Sequence, residues 1–370
     1  MIYFIVSIIL MLLSFSRRET FFYLSFIPVA CYFTTHYGYG FDWINYYNTY
    51  VWSSTMVTSP YEPGVFYIMQ FFEKNGLSYG SFMFFILLFN YVCLFIFCIK
   101  QKHKMFCFFA LFSFFGFYMY SEQIRQGVAI SIIMLGVSFN GIGSKKTIIY
   151  TLIASLFHIS ALFFIVCFLV NTSDRMKFKR NITIIISIVV VMLISFIFPS
   201  IFSFIPYIGT KIIAYSQSYN AGLLSFITAF ILSKYTWLYV FLLLLVIQCQ
   251  KEYSNNMYNS IQSICFLLLS KTTPILMRFG FYFILPLVIG LDAYMYDKNK
   301  AGSIFLKKTA IYFSILLVSS ATMWSSTLSK ASSFSLNVFT DQDIEIIMSK
   351  KCTIAYKDLY GVDLFPSCYQ

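Results

Sequence analysis

The chain has 370 residues, of which 59% are hydrophobic and 11% are charged, and its formal net charge is +12. So few charged side chains cannot cover a soluble globule of this length. The basic residues lie in short clusters between apolar runs, a pattern that excludes a nucleic-acid patch and is typical of cytoplasmic membrane loops. The apolar runs must therefore lie in lipid, where the backbone satisfies its own hydrogen bonds, so they are predicted to be helices.

Candidate membrane-spanning helices follow one another along most of the chain. In order, they are residues 2–15, 21–36, 81–99, 105–120, 123–140, 147–171, 181–198, 235–249, 257–276, 279–296 and 306–324. The first is apolar from its start and its flanking charges, Arg17 and Arg18, come after it, which predicts a retained span and not a cleavable signal peptide. The predicted fold class is all-α, a polytopic integral membrane protein with about 11–12 transmembrane or re-entrant helices. This class is compatible with a GT-C-like architecture.

Successive spans should place their flanking loops alternately inside and outside the cytoplasm. The segment 147–171 does not fit this rule, because basic clusters flank it at both ends. If it enters the membrane and returns, with a turn near 156–158, every basic cluster lies in the cytoplasm. The alternative is one ordinary span followed by an exceptional basic loop outside.

The hairpin interpretation places the unusual polar residues on one face of the membrane. It predicts a transmembrane domain over 1–324, with extracytoplasmic loops at 37–80 and 199–234, and an extracytoplasmic polar tail over 325–370. The tail contains Cys352 and Cys368. They are hypothesised to form a disulfide in an oxidising compartment, the alternative being two free thiols.

Loop 37–80 combines aromatic rings with carboxylates, the residue types that suit a sugar site. Ring faces pack on the C–H surfaces of a pyranose, and carboxylates accept hydrogen bonds from its hydroxyls. The candidates are Asp42, Trp43, Tyr46, Tyr61 and Glu62. A helix is predicted to begin at Pro63, which would put Glu62 at its positive end. The alternative interpretation of the rings is an interfacial aromatic belt.

The segment Glu122–Gln126 places ionisable groups at the start of a predicted span. Glu122, Arg125 and Gln126 have i, i+3, i+4 spacing, which predicts one shared helix face. Arg125 either pairs with Glu122 or clamps a phosphate, for which a planar guanidinium suits bidentate contact.

Two further candidates are His158 and Arg278. His158 lies at the predicted turn and is either a packing residue or a group for proton transfer or a phosphate hydrogen bond. Arg278 is either a snorkelling interfacial residue or a second phosphate ligand, with Tyr282 four residues later beside it. No Cys/His spacing resembles a metal site.

Taken in order, these residues resemble a known family. The matching motifs are Gly40-x-Asp42, Tyr61-Glu62-Pro63-Gly64, Arg125-Gln126-x-x-Ala129, Leu156-Phe157-His158-x-Ser160-Ala161 and Arg278-Phe279-x-x-Tyr282-Phe283. Together they resemble the EpsG-type family of Wzy-like polysaccharide polymerases, over about residues 37–285. Each motif is short, and the specificity comes from their order and separation.

The resemblance implies a multi-pass enzyme of the bacterial inner membrane whose active site faces the periplasm. It would extend O-antigen, capsule or exopolysaccharide chains from oligosaccharide units linked through pyrophosphate to undecaprenol. Arg125 and Arg278 would hold the donor pyrophosphate, His158 would assist them or move a proton, and Asp42 and Glu62 would align the acceptor or act as general base. The residues expected to contact substrate beside them are Tyr61, Gln126, Tyr282, Trp43 and Tyr46.

The donor carries its own leaving group, so no cofactor or nucleotide is expected. A chain-length regulator protein is a partner that such an enzyme can need.

Three other functions use similar features. An O-antigen ligase, or another lipid-linked-sugar glycosyltransferase, would use the same clamp with another acceptor. A flippase would favour a central cavity and an inverted repeat, which the sequence does not show. A structural subunit of an export complex would not need arginines at membrane level.

Overall fold

The structure, a computed structural model, describes residues 2–16, 18–56, 59–198, 200, 228, 230–252, 257–297, 302–324, 326–340 and 344–360. Regular structure within these ranges is helical apart from one pair of two-residue strands. The predicted all-α class is therefore confirmed. Most of loop 199–234 and Cys368 lie outside the described residues.

The first elements in chain order are α1 (Ile2–Phe15), α2 (Glu19–Thr35), β1 (His36–Tyr37), α3 (Asp42–Trp52), α4 (Pro63–Lys74), α5 (Tyr79–Ile99), α6 (Lys104–Phe115), a π-helix (Tyr118–Glu122), α7 (Ile124–Asn140), α8 (Lys145–Ser155) and a 3-10 helix (Ile159–Phe163). They are followed by α9 (Phe164–Val170), α10 (Arg175–Ile197), α11 (Lys234–Glu252), α12 (Tyr258–Ser270), α13 (Pro274–Gly280), a 3-10 helix (Phe281–Phe283), α14 (Ile284–Tyr296), α15 (Gly302–Ser319), a 3-10 helix (Ser320–Met323), α16 (Ser326–Ala331), β2 (Leu336–Asn337) and α17 (Ile344–Tyr360).

The chain divides into two compact units. The first consists of Met1–Leu162 and Ile315–Gln370, and the second of Phe163–Ser314. In the first unit, α6 is the central helix, and every residue from Met105 to Phe115 is buried. A helix that is apolar all round must be enclosed by other helices, and α6 is contacted by α1, α2 and α5. In the second unit, α12 packs against α10, α11 and α14.

Within the described residues, two helical segments, Tyr79–Ile99 and Leu276–Tyr296, are long and apolar enough to cross a membrane. The apolar helical segments of 10–17 residues are Ile2–Phe15, Lys104–Phe115, Ile124–Asn140, Ile159–Val170 and Lys234–Gln250.

Two local predictions near the site are confirmed. A helix begins at Pro63, because proline at the first position has the required φ and lacks only an N–H that would stay unbonded anyway. The stretch 147–171 is interrupted where a turn was expected, since α8 ends at Ser155 and the next helix begins at Ile159.

Two predicted boundaries are wrong. Helix α10 includes the basic cluster that was assigned to a loop, because the Asp174 side chain accepts a hydrogen bond from the Met176 N–H at 2.8 Å and caps the helix. The break between the predicted spans 257–276 and 279–296 lies at 271–273, where Thr273 caps α13 and Pro274 takes its first position. Arg278 is therefore in the last turn of α13 and not in the corner itself.

The C-terminal segment packs within the first unit. Strand β2 pairs antiparallel with β1, with His36 opposite Asn337 and Tyr37 opposite Leu336. Cys352 is disulfide-bonded, which agrees with the first of the two alternatives for this residue, and the other cysteines of the described residues are not in disulfides.

Candidate active site

The candidate site lies in the first unit, where three separate sequence motifs meet. The backbone N–H of Gly64 donates to the carbonyl oxygen of Leu156 at 2.8 Å. The backbone N–H of Ile159 donates to Oε1 of Glu62 at 3.4 Å. The other carboxylate oxygen of Glu62 accepts a hydrogen bond from Nη1 of Arg125. The motifs therefore converge on the Glu62 carboxylate.

Glu62 reaches this position because of how α4 begins. It is the residue before Pro63, its backbone is extended, and its side chain makes no capping hydrogen bond to its own helix. The carboxylate is thus available to the neighbouring segments, while it stays close to the positive end of α4.

Arg125 is held by an ion pair and two tyrosine rings. The Arg125 and Glu62 side chains are 19% and 6% exposed. The guanidinium carbon lies 4.4 Å from the ring centroid of Tyr61 and 5.6 Å from that of Tyr46, and the two rings pack edge to face at 5.4 Å. Nε of Arg125 is buried without a hydrogen-bond partner among the described residues. A donor of the guanidinium therefore remains for a ligand or water.

The prediction that Glu122 and Arg125 share one helix face is wrong, and of the two alternatives for Arg125 the pair with Glu122 is not the one formed, since its partner is Glu62. The two residues do not share one α-helix, because Glu122 ends a π-helix and α7 begins only at Ile124. Oε2 of Glu122 instead accepts a hydrogen bond from the backbone N–H of Phe41 at 2.7 Å.

The two tyrosines beside Arg125 act as neutral groups. Burial raises the pKa of both Tyr46 and Tyr61; the positive charge of Arg125 opposes this rise and the negative charge of Asp42 adds to it. Both phenols therefore stay protonated at physiological pH. They can stack on a ligand or hydrogen-bond to it, but they are unsuited to act as bases.

His158 is buried, and its tautomer is set by Ser160. The backbone N–H of Ser160 donates to Nδ1 of His158 at 3.3 Å, and the Ser160 hydroxyl lies 2.6 Å from the same nitrogen. Nδ1 is thus an acceptor, so in the neutral imidazole the proton is on Nε2. This state suits hydrogen-bond donation through Nε2 to an anionic oxygen.

The other predicted residues of the first unit take different positions. Asp42 is the first residue of α3, and its charge acts on Glu122 and on the two site tyrosines. Trp43 and Gln126 are fully buried. That these two side chains contact substrate stays a prediction.

Arg278 and Tyr282 belong to the second unit. Arg278 is partly exposed, whereas Tyr282 is fully buried, with its carbonyl oxygen 3.8 Å from the Cys167 thiol. The contact of the Tyr282 ring with substrate stays a prediction.

Two residues that shape the first-unit site, Ser160 and Lys351, were not among the predicted site residues. Ser160 carried a signal, since it lies two residues after a candidate histidine. Lys351 carried none, because nothing in the sequence links it to Gly38 and Gly40, whose carbonyl oxygens accept its hydrogen bonds. Among the described residues, no group of three His, Cys, Asp or Glu side chains is placed to hold a metal ion.

The contact between the Glu62 and His158 segments depends on a small residue at Gly64. A Cβ there would lie 2.8 Å from the Leu156 carbonyl oxygen, so the backbone would have to move. We expect Gly64→Ala to lower the free energy of unfolding by about 1–3 kcal/mol and to accelerate amide exchange over 156–160. Gly76→Ala is the control for destabilisation alone, because its φ of +68° strains an alanine although no atom lies within 4 Å of the added Cβ. Equal exchange over 156–160 in both variants would contradict the expectation.

Comparison with known proteins identifies one similarity. A family model described as the EpsG family matches residues 19–340. No curated protein and no solved structure matches the chain. The match includes each of the motifs that meet at Glu62.

Proposed function

This chain belongs to the EpsG family, and from that premise we propose that it is a polysaccharide polymerase of the bacterial inner membrane. The proposed donor is a growing glycan on undecaprenyl pyrophosphate, and the proposed acceptor is a new lipid-linked repeat unit. The product is an O-antigen, capsule or exopolysaccharide chain, assembled at the periplasmic face.

The observation that carries the proposal is the state of Arg125. Its guanidinium is held over two tyrosine rings, is paired with one carboxylate, and keeps a buried Nε–H without a partner in the described part of the chain. A buried cation with an unused donor is suited to a phosphate oxygen, which a guanidinium binds in a bidentate manner. Arg278 is proposed as a second ligand of the same class of group.

The proposed reaction needs charge stabilisation and one proton transfer. The acceptor hydroxyl oxygen attacks the anomeric carbon of the donor, and the bond from that carbon to the pyrophosphate oxygen breaks. The bonding electrons leave with the pyrophosphate, whose developing negative charge Arg125 stabilises. The hydroxyl proton passes to a base.

The site offers distinct roles for the remaining groups. The His158 tautomer favours donation from Nε2 to a phosphate oxygen, since Nδ1 already accepts from Ser160. The carboxylates of Glu62 and Asp42 are the better candidates for the base. Glu62 is paired with Arg125 in the absence of substrate, so an incoming pyrophosphate would compete for the guanidinium and release the carboxylate.

Exposed apolar side chains support the membrane part of the proposal. Helices α1 and α2 present large apolar residues outward, and the most exposed are Leu12, Leu24 and Ile27. Such surfaces are unfavourable in water and are expected where lipid covers the helix. With the two segments of membrane-spanning length, they favour a multi-pass protein in the lipid bilayer. A chain-length regulator is a further proposed partner.

Purified protein provides the direct test. In detergent, with undecaprenyl-pyrophosphate-linked repeat units and no sealed compartment, we expect a ladder of polymer. A flippase would give none, so absence of polymer would overturn the proposal. In cells, loss of a polymerase leaves single repeat units capped onto the lipid core, whereas loss of a ligase leaves none.

A further inference from the structure

The C-terminal segment is built into the loop that precedes α3. Beyond the pairing of β2 with β1, the backbone N–H of Val338 donates to the Thr35 carbonyl oxygen at 2.9 Å. Gly80 allows the close approach, since a Cβ there would lie 2.9 Å from the Val338 carbonyl oxygen. Two parts of the chain about three hundred residues apart are therefore fixed against each other at the entrance to α3.

Lys351 of α17 holds one side of this loop. Its side chain is fully buried, and Nζ donates to the carbonyl oxygens of Gly38 and Gly40, the latter at 3.0 Å. Cys352 follows it and is disulfide-bonded, so this turn of α17 is also covalently tethered.

Glu122 holds the other side of the loop. Its carboxylate accepts the Phe41 N–H at 2.7 Å, next to the positive end of α3. A Cβ at Gly40 would overlap the Glu122 carboxylate, so only glycine fits at this position. The loop is thus held by an amino group that binds two of its carbonyl oxygens and a carboxyl group that binds one of its amides.

Burying the ionisable side chains of Glu122 and Lys351 costs free energy that burying apolar side chains would not. Burial raises the pKa of Glu122 to about 8, and the nearby charge of Asp42 contributes. Burial lowers the pKa of Lys351 to about 7, against the opposing attraction of Glu122. Since burying ionisable groups costs free energy, the value of Glu122 and Lys351 here is in fixing the geometry of the loop.

The geometry that they fix is that of a candidate catalytic carboxylate. Asp42 begins α3 directly after the clamped loop, and Tyr46, one turn later on α3, packs beside Arg125. A shift of the loop would therefore move Asp42 and Tyr46 together.

We infer that Lys351 and Glu122 are positioning residues that set the Asp42 carboxylate for the acceptor, so that the C-terminal segment is part of the active site. This inference rests on the proposed polymerase function. It also assigns a role to a residue beyond 340, where the family match ends.

The test uses full-length purified protein, a labelled single-unit acceptor and a preformed lipid-linked donor. We expect Lys351→Met to raise the acceptor KM about tenfold and to leave the donor KM unchanged. Lys350→Met is the matched control, because Lys350 is the preceding residue on the same helix and is exposed, 5.9 Å from the Phe334 ring centroid. It should match wild type. A variant that only loosened the fold would raise the KM of both the donor and the acceptor.

A second variant tests whether the two residues act on the same loop. Because Lys351 and Glu122 hold opposite sides of one loop, the rise in acceptor KM of Lys351→Met/Glu122→Gln should be smaller than the product of the two single effects. If Lys351→Met does not accumulate, Glu122→Gln alone should raise the acceptor KM and not the donor KM.

Three results separate the possible failures. An unchanged acceptor KM in Lys351→Met would overturn this inference, and so would an unchanged acceptor KM in Glu122→Gln if that is the variant used. In either case, polymerisation by the wild type would still support the proposed function. Independent, multiplicative effects of the two substitutions would also overturn it. A wild-type protein that makes no polymer would overturn the proposed function itself.

Discussion

Replacing Arg125 by alanine is expected to abolish long-chain polymer while the protein remains in the membrane. Removing one preorganised donor from a developing anion typically lowers the rate by about 10²–10³-fold, and Arg125 also supplies the charge of the site. Arg125→Lys should retain the charge but lose the planar contact with the Tyr61 ring and the bidentate geometry. We expect it to be impaired by about 10²-fold, measured as the initial rate of polymer formation.

The Arg125 prediction needs a control for stability, because the substitution leaves the buried Glu62 carboxylate unpaired. Breaking a buried pair by removing one partner costs about 3–5 kcal/mol. The double variant Arg125→Ala/Glu62→Gln removes the stranded charge, so its unfolding midpoint should recover while its activity does not. Recovery of polymer length in the double variant, or normal chain length in Arg125→Ala, would remove Arg125 from the mechanism. Arg18→Ala, at an exposed position, should resemble wild type.

Glu62→Gln is expected to fold and to lose polymerase activity by about 10²–10⁴-fold, the range for loss of a general base. The glutamine keeps an oxygen that can accept from the Ile159 N–H and has nearly the same shape. The loss would therefore report the missing charge and proton acceptor, and not a gap in the packing. Initial rates at saturating donor and acceptor measure the effect.

A matched substitution near the other end of α4 provides the control, and the kinetics of Glu62→Gln distinguish a general base from a residue that orients Arg125. Glu73→Gln changes an acidic residue near the other end of α4, far along the helix from the Arg125 contact, and should retain wild-type activity. If Glu62→Gln keeps its kcat and changes only the KM of the donor, Glu62 serves to orient Arg125, and Asp42 becomes the remaining carboxylate candidate for the base.

Local features of the sequence predicted the elements that carry the site. Pro63 marks the start of α4, and the interruption near 156–158 followed from the distribution of basic clusters. The chemistry-bearing motifs could also be chosen from residue type, since buried arginine and carboxylate groups in an apolar chain need a reason to be there. The match to the EpsG family over residues 19–340 confirms the resemblance that those motifs carried.

The errors all concern partners and boundaries. Glu122 and Arg125 have the spacing of a helix pair, but a π-helix ends at Glu122 and α7 begins at Ile124, so the two belong to different elements and have different partners. Trp43 and Tyr282 suit a sugar site by residue type and are fully buried, and their contact with substrate stays a prediction. Periodicity cannot distinguish these cases, because a ring suits a core and a sugar site equally.

By itself, the sequence determined that the chain is helical and apolar and which residues could do chemistry, because those properties depend on each residue and its near neighbours. Only the tertiary structure decided which partners the ionisable side chains contact. Glu62 reaches Arg125 across 63 positions, and Lys351 reaches Gly38 across 313. Contacts of that kind are set by how helices pack, and no local preference encodes them.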